Sequence, residues 1–392
     1  MSPHQDPTPA PDAHPHTSGG ASHASHTPGG ASHGSHTSGG HSSGTHTSGD
    51  HSHGTQTSGG ASHSTHTPAD DSHGGRGGHG HGGHGHSHGA HSHGAHSHGS
   101  TDLDWADLAD HLEQNAEVQL PVLRDVAARL GELLGPAHDV RRVLDVGSGP
   151  GVMTSVLAEA FPAAEAVAVD PTPALLDRAL ARAERLGLGG RVAVRRAELP
   201  DGLATGSEGP GADGAGAADL VWSSKAVHHV GDQQRALDAL AAVLRPGGLL
   251  AVAEGGLPVR FLPRDIGTGR PGLQARLDAA QEDWFEEMRS ELPGSTALVE
   301  DWPAMLARAG LTDTGSFTLL LDLPAPLEAP ARAFLHAQLT RIRDTRGDSL
   351  AVDDRKTLDL LLDPESPDGL LKRPDAFLLS AVTVHTGRRP AA

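Results

Sequence analysis

Residues 143–151 read VLDVGSGPG, and this segment carries the clearest structural signal in the chain. Its first four residues form a short, mostly apolar run that is typical of a buried strand. Three glycines follow at alternate positions, Gly147, Gly149 and Gly151. A helix-like stretch then covers residues 152–161. Glycine lets the backbone approach a ligand closely, and the first turn of a helix offers free N–H groups. The segment therefore predicts a strand–turn–helix unit that can cradle a nucleotide-type ligand.

The spacing of the glycines separates two kinds of cofactor. Dinucleotide-binding folds place a third glycine three positions after the second, to seat a pyrophosphate, and that position here is Val152. The pattern Asp-x-Gly-x-Gly-x-Gly instead resembles the first motif of the class I S-adenosylmethionine methyltransferases. The alternative is a glycine-rich turn that binds no ligand. The resemblance assigns five residues to the cofactor site: Asp145, Gly147, Ser148, Gly149 and Gly151.

A second apolar run, residues 166–170, ends in Asp170. An acid at the tip of the second strand can accept two hydrogen bonds from ribose hydroxyls. Because Pro171-Thr172-Pro173 opens the next helix, Asp170 can equally cap that helix, and the two roles are compatible. We expect Asp170 to bind the ribose of the cofactor.

Two further strands each end in a candidate cofactor residue. Residues 192–194 form a third strand, and in the family an acid after this strand accepts a hydrogen bond from the adenine amino group. Glu198 stands at that place, where aspartate is commoner, and its alternative role is a solvated loop carboxylate. Residues 218–224 form a fourth strand, and we assign Ser223 near its end to the cofactor site. The motif LRPGG at residues 244–248 then predicts a tight turn into a fifth strand.

The resemblance extends, motif by motif, from residue 140 to residue 256. It implies an α/β fold, a doubly wound and mostly parallel sheet of seven strands with helices on both faces. The family also has an antiparallel final strand and N-terminal helices that form a lid over the cofactor. The sixth and seventh strands are expected at residues 317–321 and 377–384.

Composition divides the chain near residue 100. Residues 1–100 hold 23 of the 29 histidines and almost no large apolar residues, so we expect them to be disordered. Residues 101–392 suit one α/β domain, which the resemblance identifies as a methyltransferase domain. Within it, residues 101–139 are expected to form the lid helices. Residues 257–299 are expected to be an insertion after the fifth strand, at the end of the sheet where substrates bind.

Charge and cysteine content exclude several classes of function. The net charge is −19, of which −15 falls on residues 101–392, so a nucleic-acid substrate is not expected. The absence of cysteine excludes disulfides, thiolate metal sites and iron–sulfur radical chemistry. No apolar stretch is long enough for a membrane span, and the first 30 residues contain no apolar signal core. We therefore expect a cytoplasmic protein without a membrane partner.

The tail repeats a ten-residue unit such as HTSGGASHAS, and the repeat tightens to HSHGA near residue 100. Imidazole is mostly neutral at pH 7 and binds Ni²⁺, Zn²⁺ and Cu²⁺. Three His-x-His pairs are the best candidate ligands: His86 and His88, His91 and His93, His96 and His98. The alternative is a tail that only increases solubility.

These observations together predict a methyltransferase that uses S-adenosylmethionine and acts on an oxygen or nitrogen of a small molecule. His228 and His229 lie just past the fourth strand, where either can serve as a general base or as a structural histidine. The rival hypothesis is a protein that handles Ni²⁺ or Zn²⁺ on a methyltransferase-like scaffold. A protein acceptor is a further alternative, and the acidic domain would then prefer a basic target.

Overall fold

The computed structural model describes residues 105, 108–203 and 218–391. The seven strands of this part are β1 Arg142–Val146, β2 Glu165–Asp170, β3 Val192–Arg196, β4 Ala218–Ser224, β5 Leu244–Arg260, β6 Thr312–Leu323 and β7 Leu378–Arg388. They form one sheet in the order β3-β2-β1-β4-β5-β7-β6. Neighbouring strands from β3 to β5 are parallel, and β7 runs antiparallel to both β5 and β6. The predicted fold class is confirmed.

Helices cover both faces of this sheet. They are α1 Ala109–Val118, α2 Leu120–Leu134, α3 Val152–Ala160, α4 Pro173–Arg185, α5 Gln233–Ala242, α6 Leu273–Glu291, α7 Trp302–Arg308, α8 Ala329–Arg346 and α9 Val352–Leu362. Apolar side chains of α2, α3, α6, α8 and α9 share one core, and those of α5 and α7 share the core on the opposite face. None of the helices within the described ranges is long and apolar enough to cross a membrane.

The two cores follow from the alternation of side chains along each strand. In β4, Leu220 and Trp222 pack into the core with α2 and α3, whereas Val221 packs against α5 and α7. In β1, Val143 and Leu144 divide between the two cores in the same way. Strands that are buried on both faces need apolar residues at nearly every position, which explains the continuous apolar runs in the sequence.

The predicted element boundaries differ from the structure mainly around β5. This strand begins at Leu244, the first residue of the LRPGG motif. Leu244 pairs with Ala218, and the Gly247 N–H donates to the Arg389 carbonyl at 2.9 Å, so the motif belongs to the sheet. The strand also continues to Arg260, so the first four residues of the expected insertion 257–299 belong to the sheet. The rest of that segment contains α6.

The sequence analysis did not anticipate the helices α8 and α9 between β6 and β7. They carry buried apolar residues such as Phe334, Leu335 and Leu358 into the core on the α2 and α3 face. The six tail histidines proposed as metal ligands lie outside the described residues, as do all of residues 1–104.

Candidate functional site

A cleft of about 560 Å³ opens at the carboxyl ends of β1, β2 and β4. This is the position where parallel α/β sheets bind ligands, because the loops that follow adjacent strands meet there. Seven of the residues singled out from the sequence line it: Asp145, Gly147, Ser148, Gly149, Asp170, Glu198 and His229. Gly151, Ser223 and His228 are not among its lining residues. Side chains of α1 and α2, such as Leu112 and Leu123, close it from the side of the expected lid.

The three glycines of the loop between β1 and α3 have different roles. A Cβ atom on Gly149, whose φ is +53°, would meet nothing within 4 Å, since this position faces the open cleft. A Cβ on Gly147 would collide with the Ala226 side chain. A Cβ on Gly151 would collide with Ala179 of α4, whose Cα would lie only 2.8 Å away. Gly149 therefore leaves room for a ligand, whereas Gly147 and Gly151 allow protein elements to pack closely.

Asp170 connects the end of β2 to the glycine loop. Its Oδ2 accepts a hydrogen bond from the Gly149 N–H at 3.0 Å, and its Oδ1 accepts one from the Thr172 N–H at 2.9 Å. The side chain is only 6% exposed, and burial raises its pKa, while both backbone donors act in the opposite direction. The carboxylate thus holds the turn before α4 and the glycine loop together, and it still lines the cleft.

Asp145 lies at the floor of the cleft, where burial raises its pKa to about 7. The Thr154 hydroxyl donates a hydrogen bond of 2.6 Å to its Oδ2 and opposes that shift.

Trp222 is the residue opposite Asp145 in the pairing of β1 with β4. Its buried indole N–H has no acceptor within the described part of the chain. The sequence analysis missed Trp222. The available signal was a tryptophan near the end of a central strand, because a buried indole N–H needs a hydrogen-bond acceptor.

The carboxyl end of β4 presents Ser224 to the cleft, not Ser223. Successive side chains of a strand point to opposite faces. Ser223 therefore lies on the side of Val221 and is fully buried, with no partner for its hydroxyl among the described residues. Glu198 follows β3 and is exposed at the edge of the cleft.

The two histidines occupy a 3-10 turn at Val227–His229, directly after β4. His228 Nδ1 lies 2.7 Å from Oε2 of Glu254, a carboxylate that is 5% exposed at the end of the parallel part of β5. The other oxygen of Glu254 accepts a hydrogen bond from the Val227 N–H at 3.1 Å. Glu254 thereby orients His228, and it is a second residue whose role the sequence analysis missed.

His229 is the histidine that lines the cleft. Its ring stands edge-on to the Trp105 ring, with 5.1 Å between the centroids. Burial lowers its pKa to about 3, and the charges of His228, Arg289 and Arg341 act in the same direction. His229 is therefore a neutral imidazole at pH 7, able to donate one hydrogen bond and accept one.

Arg289 of α6 supports the same turn. Its guanidinium donates to the carbonyls of His228 at 2.7 Å and Val230 at 2.6 Å. Within the ranges that the structure describes, no group of three or more His, Asp or Glu side chains can hold a metal ion.

The seven-stranded sheet with one antiparallel strand, the glycine loop after β1 and the carboxylate at the tip of β2 are the features that the resemblance to class I S-adenosylmethionine methyltransferases led us to expect. A family model described as a methyltransferase domain matches residues 144–250.

Known proteins similar to this chain include methyltransferases. A trans-aconitate 2-methyltransferase of Methylobacterium radiotolerans is 32% identical over 117 residues, which cover 30% of this chain and 39% of that protein. The biotin biosynthesis bifunctional protein BioCD of Bordetella avium is 34% identical over 145 residues, covering 37% of this chain and 28% of that protein. The chain thus spans less than half the length of these relatives. A solved O-methyltransferase family protein of Burkholderia thailandensis superimposes with a TM-score of 0.39 and 16% identity, covering 71% of this chain and 57% of that one.

Proposed function

We propose that this protein transfers a methyl group from S-adenosylmethionine to an oxygen or nitrogen of a small molecule. The observation that carries the proposal is the Asp170 carboxylate bonded to the Gly149 N–H at the edge of a cleft of about 560 Å³. The name of the trans-aconitate 2-methyltransferase relative favours a small acceptor. The net charge of the domain argues against a nucleic acid.

The residues of the cleft fit this cofactor. Gly149 leaves open space where a side chain would stand, and Asp170 retains free lone pairs for ribose hydroxyls beyond its two backbone bonds. Glu198 lies beside the same space for the adenine amino group. When bound, S-adenosylmethionine supplies an electrophilic methyl group on its sulfonium.

The chain's own residues then position the acceptor and exclude water. Trp105 and Leu112 face the cleft from the N-terminal side, and Leu292 and Pro293 face it from the segment after α6. We assign His229 to hydrogen bonding with the acceptor, because an imidazole with a pKa of about 3 is a weak base at pH 7. The sequence left each histidine open between general base and structural residue, and for His229 we propose this hydrogen-bonding role instead.

The test is calorimetry of the full chain with S-adenosylmethionine and S-adenosylhomocysteine. We expect dissociation constants in the micromolar range or below for the unaltered protein. Gly149→Val should abolish binding, because the branched side chain fills the cleft. Gly187→Val is the matched control, since Gly187 also has a positive φ, of +71°, and open space but does not line the cleft. Absence of binding to the unaltered protein, or equal binding by both variants, would contradict the proposal.

For the tail we propose binding of Ni²⁺, Zn²⁺ or Cu²⁺ by the His-x-His pairs between His86 and His98. The support is the ligand chemistry of neutral imidazole and the spacing of the pairs. The metal-handling alternative predicts that metal alters methyl transfer. We expect instead that metal binding by the tail and methyl transfer by the domain are independent.

A further inference from the structure

Charged side chains of both signs line the cleft. Three of them are the carboxylates Asp145, Asp170 and Glu198. Lys225 is the only lysine or arginine among the described residues that line it, and His229 lines it as well. Lys225 is therefore the cation that a ligand in the cleft can meet.

Lys225 differs from the other two lysines of the chain. Lys356 pairs with Asp353 at 3.7 Å and Lys372 with Glu365 at 3.9 Å, both at the surface. The Lys225 ammonium has no ion pair or hydrogen bond to any residue in the described ranges. Its backbone is also unusual, because its φ is +51°, a value that residues other than glycine seldom adopt. Such conformations concentrate at functional sites, because the surrounding structure must maintain them.

The nearby carboxylate of Glu254 forms no hydrogen bond or ion pair with Lys225 in the described part of the chain. Glu254 is the one charge that favours the protonated amine, but its two oxygens already serve the Val227 N–H and His228 Nδ1. Desolvation is the larger effect, and it lowers the pKa of Lys225. Lys225 is nevertheless an exposed residue of the cleft wall, so an anion in the cleft can reach its ammonium and pair with it.

We propose that the methyl acceptor carries a carboxylate group and that the Lys225 ammonium binds it. This inference rests on the proposed methyltransferase function. A carboxylate carries one negative charge, which a single ammonium can balance. A phosphate group carries about two at neutral pH, and the described lining of the cleft offers no second lysine or arginine. The free N–H groups at the start of α3 follow the glycine loop, which is assigned to the cofactor. The acceptor class is therefore a small carboxylic acid in its ionised form.

The test uses the full chain saturated with S-adenosylhomocysteine and calorimetry with a fixed set of probes. The acids are succinate, trans-aconitate, benzoate and cinnamate, each compared with its neutral amide, and inorganic phosphate is included. We expect at least one acid to bind at least tenfold more tightly than its amide. Preference for phosphate over every acid, or no preference for any acid over its amide, would overturn the inference.

Three variants identify Lys225 as the cause. Lys225→Met should remove the preference for the acid, while Lys225→Arg should keep it within about threefold, because arginine preserves the charge. Lys356→Met, which removes an exposed lysine, should change nothing. An unchanged preference in Lys225→Met would overturn the inference. So would equal loss in Lys225→Arg, because that result indicates a role for the unprotonated amine.

The same experiment separates this inference from the proposed function. S-adenosylhomocysteine affinity should be equal in the unaltered protein and in all three variants. If the unaltered protein does not bind S-adenosylhomocysteine, the proposed function fails. If it binds that ligand but shows no acid preference, only the inference about the acceptor fails.

Discussion

Replacing Asp170 with asparagine tests whether this residue binds ribose or serves only the backbone. The substitution keeps the shape of the side chain and removes its charge. The amide offers one acceptor oxygen, whereas the carboxylate now accepts from both Gly149 and Thr172. One of these two backbone N–H groups therefore loses its acceptor and the other keeps only a neutral one, whether or not a ligand is bound.

The expected magnitude follows from the bonds involved. A hydrogen bond to a charged group contributes about 1.5–3 kcal/mol and a neutral one about 0.5–1.5 kcal/mol. For two ribose hydroxyls the difference is about 2–3 kcal/mol, or roughly 30- to 150-fold in affinity for S-adenosylhomocysteine. Loss of a backbone bond should lower the free energy of unfolding by a further ~1–3 kcal/mol.

The assay compares S-adenosylhomocysteine with its 2′,3′-dideoxy analogue by calorimetry, in the unaltered protein and in Asp170→Asn. If Asp170 binds the ribose, the variant loses affinity mainly for the ligand that has the hydroxyls. Asp177→Asn is the matched control, because Asp177 is exposed on α4 and does not line the cleft. Equal losses for the two ligands would refute the ribose role and leave Asp170 as a support of the glycine loop.

Further predictions concern packing, pH and the tail. Gly151→Val should lower the melting temperature by roughly 5 °C or more, because its side chain meets Ala179, and scanning calorimetry measures this. Because burial lowers the pKa of His229 to about 3, the unfolded chain binds an extra proton below pH 6.5, so stability falls as pH drops from 6.5 toward 3. His229→Gln should flatten that dependence in urea titrations at pH 5 and pH 7, and an unchanged slope would contradict the assignment. The full chain should bind an immobilised nickel column at pH 8 and elute by pH 5, as imidazole becomes protonated. Removal of residues 1–100 should leave the affinity for S-adenosylhomocysteine within about twofold.

The first five strands and the glycine loop were predictable because their signals are local. Short, mostly apolar runs between turn-forming residues mark each strand. An acid at a strand tip indicates the edge of the sheet where a cleft opens, and Asp170 does line the cleft. The length of β5 was not predictable in the same way. Its first residues are held by pairing with Ala218 and Arg389, and neither contact is visible in a local pattern.

The choice between Ser223 and Ser224 shows where prediction from the sequence stops. The sequence predicts that β4 ends here, but which serine faces the cleft depends on the register of the whole strand. A shift of one residue exchanges the two faces. In the structure the pairing of Trp222 with Asp145 defines that register. Which serine faces the cleft therefore depends on how the whole sheet is assembled.

The chemistry of the histidine turn depends on still more distant residues. Glu254 is 26 positions from His228, and Arg289 reaches the same turn from α6 at a separation of 61. Arg341 of α8 adds its charge from a helix that the sequence analysis did not anticipate. A motif can indicate that a histidine stands near the reacting group, but the proton affinity of that histidine is a property of everything packed around it. Here the packing makes His229 a neutral hydrogen-bonding group and leaves Lys225 without an ion pair among the described residues. We therefore expect the acceptor to react in an already ionised form, because His229 is a weak base at pH 7.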